Sequence, residues 1–193
     1  MHEEALKLIG QLNPDEGLVI LRALARQDAR LAARIVELIT AHWSDDAPQT
    51  PEDAAGIAED LLVELNLLEV EEVWDRAGQT RYGYVEPIEA ADEMMREVLG
   101  PFLEEMKRYQ HLGLHNAARY TCMGLLAGLY RFETESTAEF KDWATDLPGA
   151  FAELVLREWK AGNPTAAEVG EVEQFIREEL EKWTFYLLRR DER

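Results

Sequence analysis

Two imidazoles four residues apart, His111 and His115, are the first feature of this chain whose type and spacing could do chemistry. On one helix that spacing lets two ring nitrogens share a metal ion. Gly113 stands between them and marks a helix break, and no acidic third ligand sits at a motif spacing, so capping of a helix end is the expected role. His2 and His42 are isolated. Adjacent carboxylates recur, as in Glu71-Glu72, Glu104-Glu105 and Glu178-Glu179. Neighbours on a helix point in different directions and need not form an acid-base pair, so solvated helix faces are expected there. Cys122 is the only cysteine, which leaves neither an intramolecular disulfide nor a cysteine-rich zinc site, and its apolar surroundings in the sequence predict a small buried hydrophobe. A Gly-rich phosphate loop, a Ser nucleophile elbow and a Cys with a motif-matched His are all missing. The residues therefore assign no catalytic group, no cofactor and no metal ligand, and predict a protein that is not an enzyme. An unfamiliar carboxylate site in a helical bundle would require at least three convergent Glu, Asp or His.

The stretch EVEEVWDRAGQTRYGYVEP, residues 69–87, departs from the helical pattern around it. Val70, Val73, Trp74, Tyr82, Tyr84 and Val85 favour strands, and Arg76-Ala77-Gly78-Gln79 reads as a turn between them, so the segment is either a β-hairpin or an irregular loop. A hairpin after a helix is the ending of a winged helix, which makes DNA reading the sharpest hypothesis. Charge opposes it. Residues 51–66 contain five acids and no base, and only Arg76 and Arg81 in the hairpin are cationic, against a duplex carrying one negative charge about every 1.7 Å. The preferred expectation is a short ordered connector, and the alternative is an exposed recognition loop. If the segment touches a partner, Trp74, Arg76, Arg81, Tyr82 and Tyr84 are the candidate residues. The other tryptophans, Trp43, Trp143, Trp159 and Trp183, fall near helix ends or on core stripes and are expected to pack.

The whole chain extends the charge argument. Its 39 acidic and 20 basic residues give a net charge of −19, and residues 51–110 alone carry 16 acids against 5 bases. Such a field repels polyanions and favours cations, so a basic protein segment is the expected partner, while nucleic acid and anionic membranes are disfavoured. No run approaches about 18 apolar residues, and the first ten residues lack a signal-peptide pattern, which makes the cytoplasm the default compartment. With 193 residues, 47% hydrophobic and 31% charged, one domain or two closely packed halves is expected.

Helical periodicity places the elements. A helix over 3–12 leads to Asn13-Pro14, a cap and proline pair that opens a second helix to about Arg26. Asp28 caps a third, with Leu31, Ile35, Leu38, Ile39 and His42 or Trp43 on one face. Thr50-Pro51, reinforced by Asp53, opens a fourth with Ala54, Ala58, Leu61, Leu62 and Leu65 buried. A fifth spans Pro87 to Gln110 with a kink expected at Gly100-Pro101. The sixth follows Gly113, and its row of Thr121, Gly124 and Gly128 predicts close approach of another helix, within the chain or across a dimer axis. The seventh, from Thr137, is expected to break at Leu147-Pro148-Gly149. The eighth opens at the capping box of Thr165 and Glu168 and runs past Leu187, with the RRDER tail placing cations at its negative end. The predicted fold is all-α: an irregular bundle or short solenoid of about eight helices in antiparallel pairs, with one small β-hairpin near residues 70–85. The blocks are 1–68, 69–86 and 87–193, packed as one compact unit.

The run LIGQLNPDEGLVILRALARQDARLAARIVELI, residues 8–39, resembles the leucine-rich helical pair of bacterial and archaeal proteins associated with SWIM zinc fingers, in which a similar L-x-x-L-x-P-x-E start precedes an acidic residue before the next helix. Residues 83–131, from GYVEPIEAADEMM to LLAGLYR, look like the tetratricopeptide-like helical region of those proteins. The resemblance covers about 80 residues and implies a helical scaffold. The zinc-binding Cys and His cluster of that family is absent, so no functional residue carries over. The function expected is a non-enzymatic acidic helical interaction module or scaffold, able to form a homodimer; the alternative is a winged-helix-like transcriptional regulator using the 69–86 hairpin.

Overall fold

The structure is a computed structural model that describes residues 2–81 and 83–188. It is all-α with one small hairpin. In chain order, α1 is His2–Ile9, α2 Pro14–Gln27, α3 Ala29–Asp45, α4 Pro51–Asn66 and α5 Val70–Arg76; β1 (Gly78–Thr80) and β2 (Gly83–Val85) follow. Then come α6 (Pro87–His111), α7 (His115–Glu135), a 3-10 turn (Glu139–Trp143), α8 (Leu147–Ala161), α9 (Ala166–Glu179), a second 3-10 turn (Glu181–Trp183) and α10 (Thr184–Leu187).

The chain divides into two compact units, residues 1–47 and 48–193. The division falls just before the cap of α4 and not near residue 69, because α4 packs on α7 and shares its core. The four expected caps are formed, Asp28 accepting from the Arg30 and Leu31 amides at 2.8 and 3.4 Å. Asn13 accepts from the Glu16 amide at 2.9 Å, Thr50 from Asp53 at 3.2 Å and Thr165 from Glu168 at 3.3 Å, each with the acid reaching back to its cap. These side chains satisfy amide donors that the first turn of a helix leaves without partners.

In the first unit α2 and α3 lie in contact, yet neither contains a buried residue. The face expected to be buried on α3 is only half so: Leu31 and Ile35 are partly covered, while Leu38 and Ile39 are exposed.

The second unit is organised around α7, which contacts α4, α6, α8 and α9. Twelve of its 21 residues are buried, so it is covered on several sides and lacks a single apolar stripe. Gly124 and Gly128 set the closest approach. A Cβ on Gly124 would meet the Ala54 carbonyl oxygen at 2.7 Å and the Ile57 Cβ at 2.8 Å; one on Gly128 would meet the Ala58 carbonyl oxygen at 2.9 Å. The small-residue row thus packs within the chain. The predicted α4 stripe, Ala54, Ala58, Leu61, Leu62 and Leu65, is buried throughout. Around this contact lie Met94, Met95, Leu99 and Met106 of α6 and Phe151 of α8.

Four expectations need correction. Residues 70–76 are helical, because Val70, Val73 and Ala77 recur at helical spacing, Val73 is fully buried, and Glu71 and Glu72 in the first turn with Arg76 in the last suit the helix dipole. The chain reverses between Thr80 and Gly83, not at 76–79; Gly78 and Gln79 belong to β1 and pair with Val85 and Tyr84. Leu147-Pro148-Gly149 opens α8, since a proline in the first turn sacrifices no internal hydrogen bond, and the interruption lies at Ala144–Asp146. The final helix breaks at Leu180, after which a 3-10 turn brings Trp183 into the interior. Helix α5 and this break account for ten α-helices among the described residues where about eight were expected. Helix α6 continues through Pro101. The cations expected at 189–193 lie outside the described residues, as does Tyr82.

The close contact predicts opposite signs for chemically identical substitutions. Gly128→Ala should destabilise by about 1–2 kcal/mol, because the overpacking cost exceeds the roughly 1 kcal/mol gained in helix propensity. Gly170→Ala on α9, where an added Cβ meets nothing within 4 Å, should stabilise by about 0.5–1 kcal/mol. Urea unfolding of the two variants measures both.

Candidate functional site

The segment singled out from sequence is fastened to the second unit. Arg76 donates two hydrogen bonds to Glu97 of α6, at 2.8 and 2.9 Å, and also faces Glu72 at 4.0 Å. This bidentate geometry commits one of the two cations of the segment to an internal acid. Trp74 is 52% exposed and meets Trp143 edge to face, with ring centroids 4.8 Å apart. Tyr84 on β2 is 61% exposed, and Arg81 lies exposed at the turn. Trp74, Arg76, Arg81 and Tyr84 thus sit along one short stretch, with the two aromatics presented to solvent and Arg76 engaged. Contact of α5 with α6 and with the 3-10 turn makes the stretch an anchored connector as well.

The other candidates separate cleanly. His111 ends α6 and His115 begins α7, so they flank a turn and do not share a helix face. No group of three or more His, Cys, Asp or Glu able to hold a metal occurs among the described residues. Cys122 is fully buried, and burial pushes its thiol far above the ordinary range, which leaves it protonated and unreactive at neutral pH. Trp159 and Trp183 are buried, and the Trp183 indole N–H donates to Glu133 at 3.0 Å.

One concavity among the described residues has no counterpart in the sequence expectations. A groove of about 600 Å³ runs over α7 between α4 and α9. Its floor is Tyr120, Met123, Ala127 and Tyr130, which recur at three- and four-residue spacing along α7. Pro51, Ala54, Ala55 and Ala58 of α4 form one wall; Phe175 and Leu180 belong to the other. The row next to the floor holds Gly124 and Gly128, so α4 sits deep on that side, and its small alanines leave Tyr120, Ala127 and Tyr130 only partly covered.

The groove is apolar within and acidic at its margin. Glu135, Glu171, Glu178 and Glu179 line it, against Arg131 as the cation among the lining residues. Arg131 is itself paired with Glu59 at 2.9 Å and Glu135 at 3.2 Å, and these two hydrogen bonds raise its affinity for its proton. Buried Arg119 secures the α9 wall by pairing with Glu171, while its guanidinium lies 4.9 Å from the Tyr120 ring centre. At the far end, Trp183 packs edge to face on Tyr130, with centroids 5.2 Å apart. Glu178 and Glu179, expected from sequence on a solvated face, line this groove. The clue available was the alternation of aromatic and small residues along α7, which leaves a trough wherever the neighbouring helix also carries alanine.

Arg76 holds the Glu97 carboxyl below its usual range chiefly through the side-chain hydrogen bond. Glu97 therefore binds a proton less readily in the folded chain, so its contribution is present above the unfolded pKa and is lost as the pH falls through the folded one. Amide protection in α5 should decline as the pH drops below about 4. Glu97→Gln should weaken that protection at neutral pH and remove its acid dependence, whereas Glu104→Gln on the same helix should change neither. Hydrogen exchange followed by NMR distinguishes these outcomes.

No protein-family model matches the chain, and neither a curated protein nor a solved structure matches it.

Proposed function

We propose that the chain is a non-enzymatic helical interaction module whose groove over α7 receives an amphipathic, basic segment of a partner protein. The carrying observation is the apolar floor of Tyr120, Met123, Ala127 and Tyr130 bordered by four glutamates and by one arginine already held by two acids. A volume of about 600 Å³ falls within the range of sites that enclose a ligand or several anchoring side chains. An apolar groove with charged edges suits a helix whose aliphatic face enters while Lys or Arg on its flanks meets the carboxylates. The field of a chain with net charge −19 would steer such a partner and speed its association. The nine acids between Pro51 and Asp75, all exposed, extend that field along α4 and α5.

The winged-helix alternative has less in its favour. The hairpin strands are three residues each, and Arg76, one of two cations available to meet phosphate, is hydrogen-bonded to Glu97. Exposed Trp74 and Tyr84 remain candidates for a secondary partner contact.

A model helical peptide with leucine at i, i+3, i+4 and i+7 and lysine elsewhere is the direct probe. Fluorescence anisotropy should show binding that weakens about tenfold between about 0.05 and 0.5 M salt, as expected for charges screened within a few ångströms. Glu178→Lys with Glu179→Lys should weaken binding by about tenfold, consistent with reversing two charges at a partly exposed rim. Equal binding of a peptide with glutamine in place of lysine, or preferential binding of duplex DNA, would count decisively against the proposal.

A further inference from the structure

A second surface, independent of the groove over α7, lies where α5 meets the first 3-10 turn. Tryptophan carries one of the largest apolar surfaces of any side chain, yet Trp74 is 52% exposed and Trp143 36%. Their indoles touch edge to face, with centroids 4.8 Å apart and planes 77° apart. Each ring is steadied by the other, and an edge-to-face pair leaves indole face open to solvent. The backbone beneath is anchored as well. Val73, next to Trp74 in sequence, is fully buried, as is Phe140, one 3-10 turn before Trp143. A ligand meeting these rings therefore finds them already in place and loses little side-chain entropy in ordering them.

Charge says what occupant suits the pair. On α5, Glu71 stands three residues before Trp74, about 60° round the helix from it, and Asp75 follows Trp74 directly. Glu139 and Asp142 are three apart in the 3-10 turn, so they share one of its faces, next in order to Trp143. All four acids are exposed. The bases of these two segments are already engaged: Arg76 donates to Glu97 and faces Glu72, and the Lys141 ammonium donates to the Ser136 carbonyl oxygen. An indole face and a carboxylate both attract positive charge. A guanidinium satisfies the two together, because it stacks flat on an aromatic ring while its N–H groups, lying in its own plane, reach carboxylates at the ring margin. We propose that Trp74 and Trp143 form a site for an arginine side chain of a partner protein, stacked on the open indole face with Glu71 and Asp75 accepting its outward N–H groups.

The test is an NMR titration of the full chain, read at the indole N–H signals of Trp74 and Trp143. The probe is a capped five-residue glycine peptide with arginine at its second and fourth positions, too short to form the helix that the groove over α7 would take. Both indole signals should shift and saturate. The same peptide with citrulline, which keeps the shape of arginine and lacks its charge, should bind about five- to tenfold more weakly, and one with lysine about two- to fivefold more weakly. Trp74→Leu should bring the arginine peptide down to the level of the citrulline peptide, with an unmoved signal from buried Trp183 showing that the fold survives. Glu71→Gln with Asp75→Asn, both on exposed side chains, should weaken the arginine peptide about three- to tenfold. Indole signals that stay still, equal affinity for arginine and citrulline peptides, an arginine preference that persists in Trp74→Leu, or tighter binding of a neutral proline-rich peptide overturns the proposal.

Discussion

The second unit depends on the absence of two side chains. Gly124 and Gly128 let the backbone of α4 approach α7 until an added methyl would overlap the carbonyl oxygens of Ala54 and Ala58. Glycine within a helix costs about 1 kcal/mol of propensity at each position. The depth of packing offsets that cost by burying Leu61, Leu65, Leu125 and Leu129 in one continuous core. With α4 held at this distance, α7 is covered by glycine-to-alanine contact on one side and by α6 and α8 elsewhere.

The groove follows from the same arrangement. A helix that sits low on its neighbour and carries alanine at Ala54, Ala55 and Ala58 cannot fully shield the next stripe of that neighbour, so Tyr120, Ala127 and Tyr130 stay partly accessible beside the buried Met123. The break at Leu180 shapes the other side. A continuous helix would carry Trp183 onward along α9; the 3-10 turn instead folds it onto Tyr130 and gives its N–H a carboxylate partner in Glu133. Acidic residues are spaced through all these helices, and those at the groove margin surround apolar surface. That is the arrangement in which charge can direct a partner toward a hydrophobic contact.

Much of the helical frame was legible because its signals are local. Asn13-Pro14, Thr50-Pro51 and Thr165 with Glu168 are caps that act through hydrogen bonds within four residues, and each opens a helix where expected. The buried stripe of α4 and the small-residue row of α7 were readable from periodicity. Residues 70–76 were misread since strand preference of Val and Trp is a preference for a packed surface, and here helical spacing brought Val73 to that surface instead. Proline at 148 could end one helix or begin another, and in the structure it lies in the first turn of α8. The groove was not legible, because it arises from three helices distant in sequence and from side chains that are small. Of the hairpin residues named in advance, Trp74 and Tyr84 are exposed, whereas the commitment of Arg76 to Glu97 across 21 residues has no local signal.

The close α4–α7 contact is the claim on which both core and groove rest, and nuclear Overhauser spectroscopy on the methyl-labelled protein measures it most directly. The account predicts strong cross-peaks from the Gly124 Hα protons to the Ile57 methyls and from the Gly128 Hα protons to the Leu61 methyls. Their absence, with cross-peaks from those methyls to other helices in their place, would contradict it.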